Sequence, residues 1–145
     1  MMRDVNQITG EIIHTAYRLH TDVGPGLLEG FYESVLLHSL KKQGLYVERQ
    51  KVIAVEWEGI RIEEACRVDL FVERQVVVEL KSLEKLHPVH HKQVLTYLRL
   101  LNLPVGLLIN FGEVSLKNGV HRILNPHAAE PPPILDPQLR PLAPR

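Results

Sequence analysis

Apolar residues recur every three or four positions at the start of the chain and every two in its middle, so helices should precede strands. Ile8, Ile12, Ala16 and Leu19 set the spacing of a first helix, Asp4 to Val23, which Gly24-Pro25-Gly26 ends. A second helix is predicted from Leu28 to Gln43, with Phe31, Tyr32, Val35, Leu36 and Leu40 to one side. Gly44 stops it, and Lys41 and Lys42 suit the negative end of its dipole. Strand patterns then run Tyr46 to Trp57, Ile60 to Val72 and Val76 to Ser82, with Glu58-Gly59 as a turn. Pro88 opens a third helix, ending near Asn102, because proline suits a first helical turn. Val105 to Phe111 is unbroken apolar sequence, as in a strand covered on both faces. Val114 to Asn125 predicts a short hairpin. The order, two helices, three strands, a helix, a strand and that hairpin, belongs to a mixed sheet flanked by helices.

The character changes at Pro126. Seven of the last 20 residues are proline, so 126–145 is expected to be a flexible or polyproline-like tail on a domain spanning 1–125.

Composition narrows the function classes. The chain has 145 residues, enough for one domain with a real core. No apolar run reaches the roughly 20 residues needed to span a bilayer, and the start lacks a signal-peptide pattern. A single cysteine, Cys66, excludes an internal disulfide framework and a cysteine-based zinc site. A cytoplasmic location fits, with no membrane partner. Lys plus Arg and Asp plus Glu both number 17, so the chain is neutral overall. Contact with nucleic acid must therefore come from a local patch or a metal site, not from bulk charge.

The chemistry concentrates in residues 67–82, RVDLFVERQVVVELKS. A hairpin with the loop Glu73-Arg74-Gln75 pairs Val72 with Val76, Leu70 with Val78 and Val68 with Leu80 on one apolar face. On the other face it pairs Phe71 with Val77, Asp69 with Glu79 and Arg67 with Lys81. Two carboxylates about 4.5–5.5 Å apart at Cβ repel each other. Either a bridging divalent cation or the neighbouring Lys81 and Arg67 would offset that. A hard cation such as Mg²⁺ accepts few carboxylates and keeps several waters. With Lys81 two residues from Glu79, the set equips metal-assisted phosphodiester hydrolysis; the plainer alternative is a solvent-facing strand of mixed charge.

Glu29 and Glu33 are four apart on one face of the second helix, and Glu29 lies nearer its apolar stripe. They complete the site or are simply acids favoured by a helix N-terminus. Gln93 and Tyr97 share a face of the third helix and could aim at the hairpin. His87, His90 and His91 precede them, but Pro88 interrupts the spacing that would bind zinc; they are foremost a solvated loop and first helical turn, with a phosphate contact beside Lys85 and Lys92 as the alternative.

Three blocks in order, GPGLLEGFYE, RVDLFVERQVVVELKS and KLHPVHHKQVLTYLRLLNLPVGLLINFG, resemble the bacterial GxxExxY proteins of the PD-(D/E)XK nuclease superfamily. Gly26, Glu29 and Tyr32 carry the signature, and the likeness runs from about Val5 to Asn125. It implies a restriction-endonuclease-like αβββαβ core with an extra N-terminal helix. It also implies Mg²⁺ or Mn²⁺ held by Asp69, Glu79 and the Leu80 carbonyl, with Lys81 acting on the attacking water or the developing charge. Glu29 would be the helical acid. Gln93 and Tyr97 look like the QxxxY element of RecB-like exonucleases, and Tyr97, His90 and Tyr32 would contact substrate. Val68 stands where the superfamily's name has proline. The expected partner is nucleic acid, DNA foremost, with a second copy or a protein partner left open. The competing reading is a non-catalytic module on the same fold, serving as an accessory subunit.

Overall fold

The computed structural model describes residues 3–128, so the proline-rich stretch beyond them lies outside the described residues. Helix α1 (Val5–Val23) starts where Asp4 accepts from the Gln7 N–H at 2.9 Å while the Gln7 side chain accepts from the Asp4 N–H at 3.0 Å. This reciprocal cap satisfies two otherwise orphaned donors. Helix α2 (Glu29–Lys42) follows, then β1 (Val47–Trp57), β2 (Ile60–Val72), β3 (Val76–Lys81), α3 (Pro88–Leu101), β4 (Val105–Asn110) and β5 (Val120–Leu124). The strands form one sheet in the order β1-β2-β3-β4-β5, parallel only between β3 and β4, the pair that α3 connects. This is a mixed five-stranded sheet flanked by helices, a restriction-endonuclease-like architecture with α1 as its N-terminal addition.

The segment 114–125 is not a hairpin in itself. A single 3₁₀ turn (Leu116–Asn118) leads into β5, which pairs antiparallel with β4. The apolar run of β4 needed a partner on its free edge, and β5 provides it.

Two cores lie on the two faces of the sheet. Ile8, Ile12, Leu36 and Leu40 of α1 and α2 pack on Leu70, Val72, Val78, Leu80 and Ile109. On the opposite face Val94, Leu98 and Leu101 of α3 pack on Ile53, Phe71, Val77 and Leu108. Each fully buried side chain of this kind stabilises by about 1.5–3 kcal/mol. Gly106 lets α3 lie close: a Cβ there would meet Val94 Cγ1 at 3.0 Å and the Val77 carbonyl oxygen at 3.1 Å.

The β2–β3 hairpin departs from uniform alternation. Its ladder holds the expected pairs Leu70↔Val78, Phe71↔Val77 and Val72↔Val76, closed by a turn in which Glu73 and Arg74 are left-handed (φ +53° and +51°). Val68 does not share the face of Leu70; it packs with Phe71 and Val77 on the α3 side. The cause lies on the neighbouring strand. Gln50 is left-handed (φ +50°), and the β1–β2 ladder passes from Arg49↔Leu70 to Lys51↔Val68 without a Gln50↔Asp69 pair. One left-handed residue shifts the phase of the pleat, so each strand presents opposite faces before and after this point.

Candidate active site

Asp69 sits where the β2–β3 ladder opens. Its Oδ2 accepts from the Leu80 N–H at 2.9 Å, and Glu79 Oε1 accepts from the Asp69 N–H at 3.1 Å. Each carboxylate thus holds the main chain of the other strand in place of a ladder bond. The clasp brings both acids to one place without making Asp69 and Glu79 a ladder pair, which corrects the register expected for them, for Val68 with Leu80 and for Arg67 with Lys81.

Glu79 is only 4% exposed. Burial first, and the Asp69 carboxylate second, push its pKa up from 4.5 to about 8, although the Asp69 N–H and the Lys81 charge pull the other way. The two carboxylates therefore resist being charged together unless a cation joins them. Burial, and then Glu79, also raise the Cys66 thiol from 9.0 to about 11, so Cys66 is an inert thiol beside the site.

Helix α3 supplies the opposite wall. Lys81, His90, Lys92 and Gln93 line one cleft of about 550 Å³ with Val89 and Thr96. Gln93 Nε2 donates to the Tyr97 hydroxyl at 3.0 Å. Burial and then the Glu79 carboxylate raise the Tyr97 phenol above its ordinary value, which places Tyr97 within the field of the acid pair. His87 caps α3, and its N–H donates to His90 Nδ1 at 3.0 Å. Burial and then the Lys81 charge hold His90 below its usual pKa, so its ring is neutral near pH 7 and carries its proton on Nε2. Lys81, His90, Gln93 and Tyr97 are thus gathered beside Asp69 and Glu79. Among the described residues the histidines form no metal centre of three or more ligands.

Helix α2 corrects the expected placement of its two acids. Its buried face is Tyr32, Glu33, Leu36 and Leu40, so the buried acid is Glu33, not Glu29. Glu33 accepts from Arg49 Nε at 2.6 Å and from Gln50 Nε2 at 2.5 Å. The same Gln50 nitrogen donates to Asp69 Oδ1 at 3.2 Å. Glu29 is exposed in the first turn of α2, where its charge reaches His90 from across the cleft. Tyr32 is fully buried. Its hydroxyl donates to the Gly24 carbonyl at 2.7 Å and accepts from the Leu27 N–H at 3.2 Å, while its ring stacks on Phe111 at 4.3 Å. It holds the 24–28 loop, and Ser82 Oγ donates to the Leu27 carbonyl at 2.5 Å, tying that loop to the residue after Lys81.

Asn110 fixes the other side of this junction. It is fully buried at the end of β4. Its Oδ1 accepts from Leu83 N–H at 2.9 Å and its Nδ2 donates to the Leu83 carbonyl at 2.9 Å. An apolar strand ending in a single amide was its only signal.

A model of the PD-(D/E)XK nuclease superfamily matches residues 6–123. The chain belongs to the PD-(D/E)XK nuclease superfamily. No curated protein and no solved structure matches it. Members of the superfamily are in general nucleases that act on nucleic acid and typically use divalent metal ions. The acid pair fits such an ion on its own chemistry, since a buried carboxylate pushed up to about 8 by burial and a neighbouring acid is short of positive charge. Two carboxylates with main-chain and water oxygens suit a hard cation. No helix of the described residues is long and apolar enough to cross a membrane.

Proposed function

We propose that the chain is a GxxExxY-type bacterial enzyme that hydrolyses phosphodiester bonds of DNA, with Mg²⁺ or Mn²⁺ as its cofactor. The observation that carries this reading is the clasp between Asp69 and Glu79 at the opening of the ladder, with Lys81 on the same strand. Asp69, Glu79 and the Leu80 carbonyl would hold the cation. When bound, it would lower the pKa of a coordinated water and draw charge from the phosphate oxygens.

The protein's own groups do the rest. Lys81 is half-buried beside the acids, so its ammonium is positioned to steady the charge that develops on phosphorus-bound oxygen. Gln93 and Tyr97, already bonded to each other, present an amide and a hydroxyl to the phosphate. Neutral His90 offers its Nε2–H to a neighbouring phosphate, because its Nδ1 is occupied by the main chain. Lys85 and Lys92 flank these groups on the exposed side, and this local cationic strip answers the neutral charge of the whole chain. Glu33 takes the role of helical acid that the family likeness assigned to Glu29, and Glu29 stays at the mouth beside His90.

The test is cleavage of end-labelled and circular DNA, each single- and double-stranded, in Mg²⁺, Mn²⁺ or EDTA, with Lys81→Ala as the control for contaminating nuclease. Cutting that needs metal and is lost in the variant is the expected result. Metal binding with no cutting of any substrate would assign the fold to a binding role instead.

A further inference from the structure

Gln50 is the least expected residue around the site. It stands in the middle of a strand yet is left-handed (φ +50°), a conformation that a side-chain-bearing residue other than asparagine or aspartate seldom takes. Glycine would adopt it without strain. The side chain explains the choice. Its amide nitrogen donates to Glu33 Oε1 at 2.5 Å and to Asp69 Oδ1 at 3.2 Å. Both partners are carboxylates that only accept, so the reversed amide would set a carbonyl oxygen against two negative groups; the orientation is fixed by chemistry. Glu33 is itself anchored by Arg49 and buried to within 6% of its surface.

We propose that Gln50 is a positioning residue for the metal-binding acid Asp69. Anchored on buried Glu33, it holds Asp69 Oδ1, while the Leu80 N–H holds Oδ2. With one bond on each oxygen the carboxylate cannot rotate, and lone pairs remain on both oxygens for a cation. The left-handed backbone at position 50 does two things together. It breaks the ladder that would pair Gln50 with Asp69, and it turns the amide toward α2. Partners that orient a ligand from behind set metal affinity as the ligands themselves do, and their loss typically weakens binding about 10- to 100-fold.

The proposal rests on Asp69 being a ligand, so the test separates the two ideas. Mn²⁺ binding to the full chain is measured by calorimetry for the parent, Asp69→Ala, Gln50→Gly, Glu33→Ala and Glu33→Gln, with circular dichroism confirming the fold. Gln50→Gly keeps the backbone geometry and removes only the amide, and it should bind Mn²⁺ about tenfold more weakly or worse. Glu33→Ala should match it, whereas Glu33→Gln, which still offers an oxygen to Gln50, should retain most of the affinity. A merely structural role would lower the melting temperature of these variants without this ordering of affinities. Parent-like binding by Gln50→Gly, with Asp69→Ala silent, would overturn the proposal alone. Parent-like binding by Asp69→Ala would overturn both the proposal and the reading of the site.

Discussion

Raising the pH should destabilise the metal-free protein, and a single carboxyl should account for it. Glu79 titrates near 8 in the folded chain and near 4.5 when its burial and its neighbour are removed. Its folded pKa is raised, so between these values the native state binds a proton that the unfolded state does not. Stability then falls as pH rises through that window. Below about 6.5 a second effect opposes it: His90 and His121 are held neutral by burial and nearby cationic groups, so the unfolded state takes up more protons there. From pH 6.5 to about 8 the unfolded histidines are still shedding protons, so they offset part of the Glu79 effect. Between pH 6.5 and 8 the net loss is on the order of 1 kcal/mol, or roughly 3 °C in Tm for a chain of this size. The assay is urea and thermal unfolding in EDTA at several pH values, with Glu79→Gln alongside. The variant lacks this carboxyl, so its curve should be level or rise slightly where the parent's falls. A parent that is flat or gains stability from pH 6.5 to 8, or a variant with the parent's slope, would refute the argument that burial beside Asp69 controls Glu79.

Three further substitutions probe the surroundings. Asp69→Asn removes the second contributor to the Glu79 shift, so carboxyl-carbon NMR should show Glu79 titrating below about 8, and an unchanged value would mean that burial alone is responsible. Tyr32→Phe keeps the stack on Phe111 and loses two hydrogen bonds, so urea unfolding should register about 1–2 kcal/mol of lost stability with Mn²⁺ affinity unchanged; parent-like stability would contradict its role in holding the loop. Gly112→Ala would set a Cβ 2.1 Å from the Leu83 carbonyl oxygen, and because backbone cannot step aside, a loss of about 2–3 kcal/mol is expected, with equal stability as the contrary result.

Much of the framework was readable from the residues. Gly24 and Gly44 are positive-φ residues at the ends of α1 and α2, and Pro88 begins α3, because these residues act through their own backbone preferences. The closed end of the hairpin kept its expected register for the same local reason: the turn dictates it. What could not be read depends on distant partners. Period-two alternation extrapolated from Leu70 places Val68 on the wrong face, since it cannot register a left-handed Gln50 on another strand. Glu29 and Glu33 lie along the same stripe of α2, but Glu29 is the first residue of the helix and stays exposed, while Glu33 one turn on meets Arg49 and Gln50. Tyr32 carries a family signature, and only its burial shows that the hydroxyl serves a loop. Asp69, Glu79, Lys81, Gln93 and Tyr97 stand out in the sequence by type and spacing, and the fold gathers them around one opening in the sheet.

The central claim is that Asp69 and Glu79 together hold a divalent cation, and proton release on Mn²⁺ binding tests it most directly. Calorimetric titrations at pH 7 in two buffers of different ionisation enthalpy count the protons displaced per ion bound. A Glu79 near pKa 8 is largely protonated at that pH, so about 0.9 of a proton should leave as the ion binds, and Glu79→Gln should bind weakly and release almost none. Binding of Mn²⁺ without proton release, or release that persists in Glu79→Gln, would contradict the account.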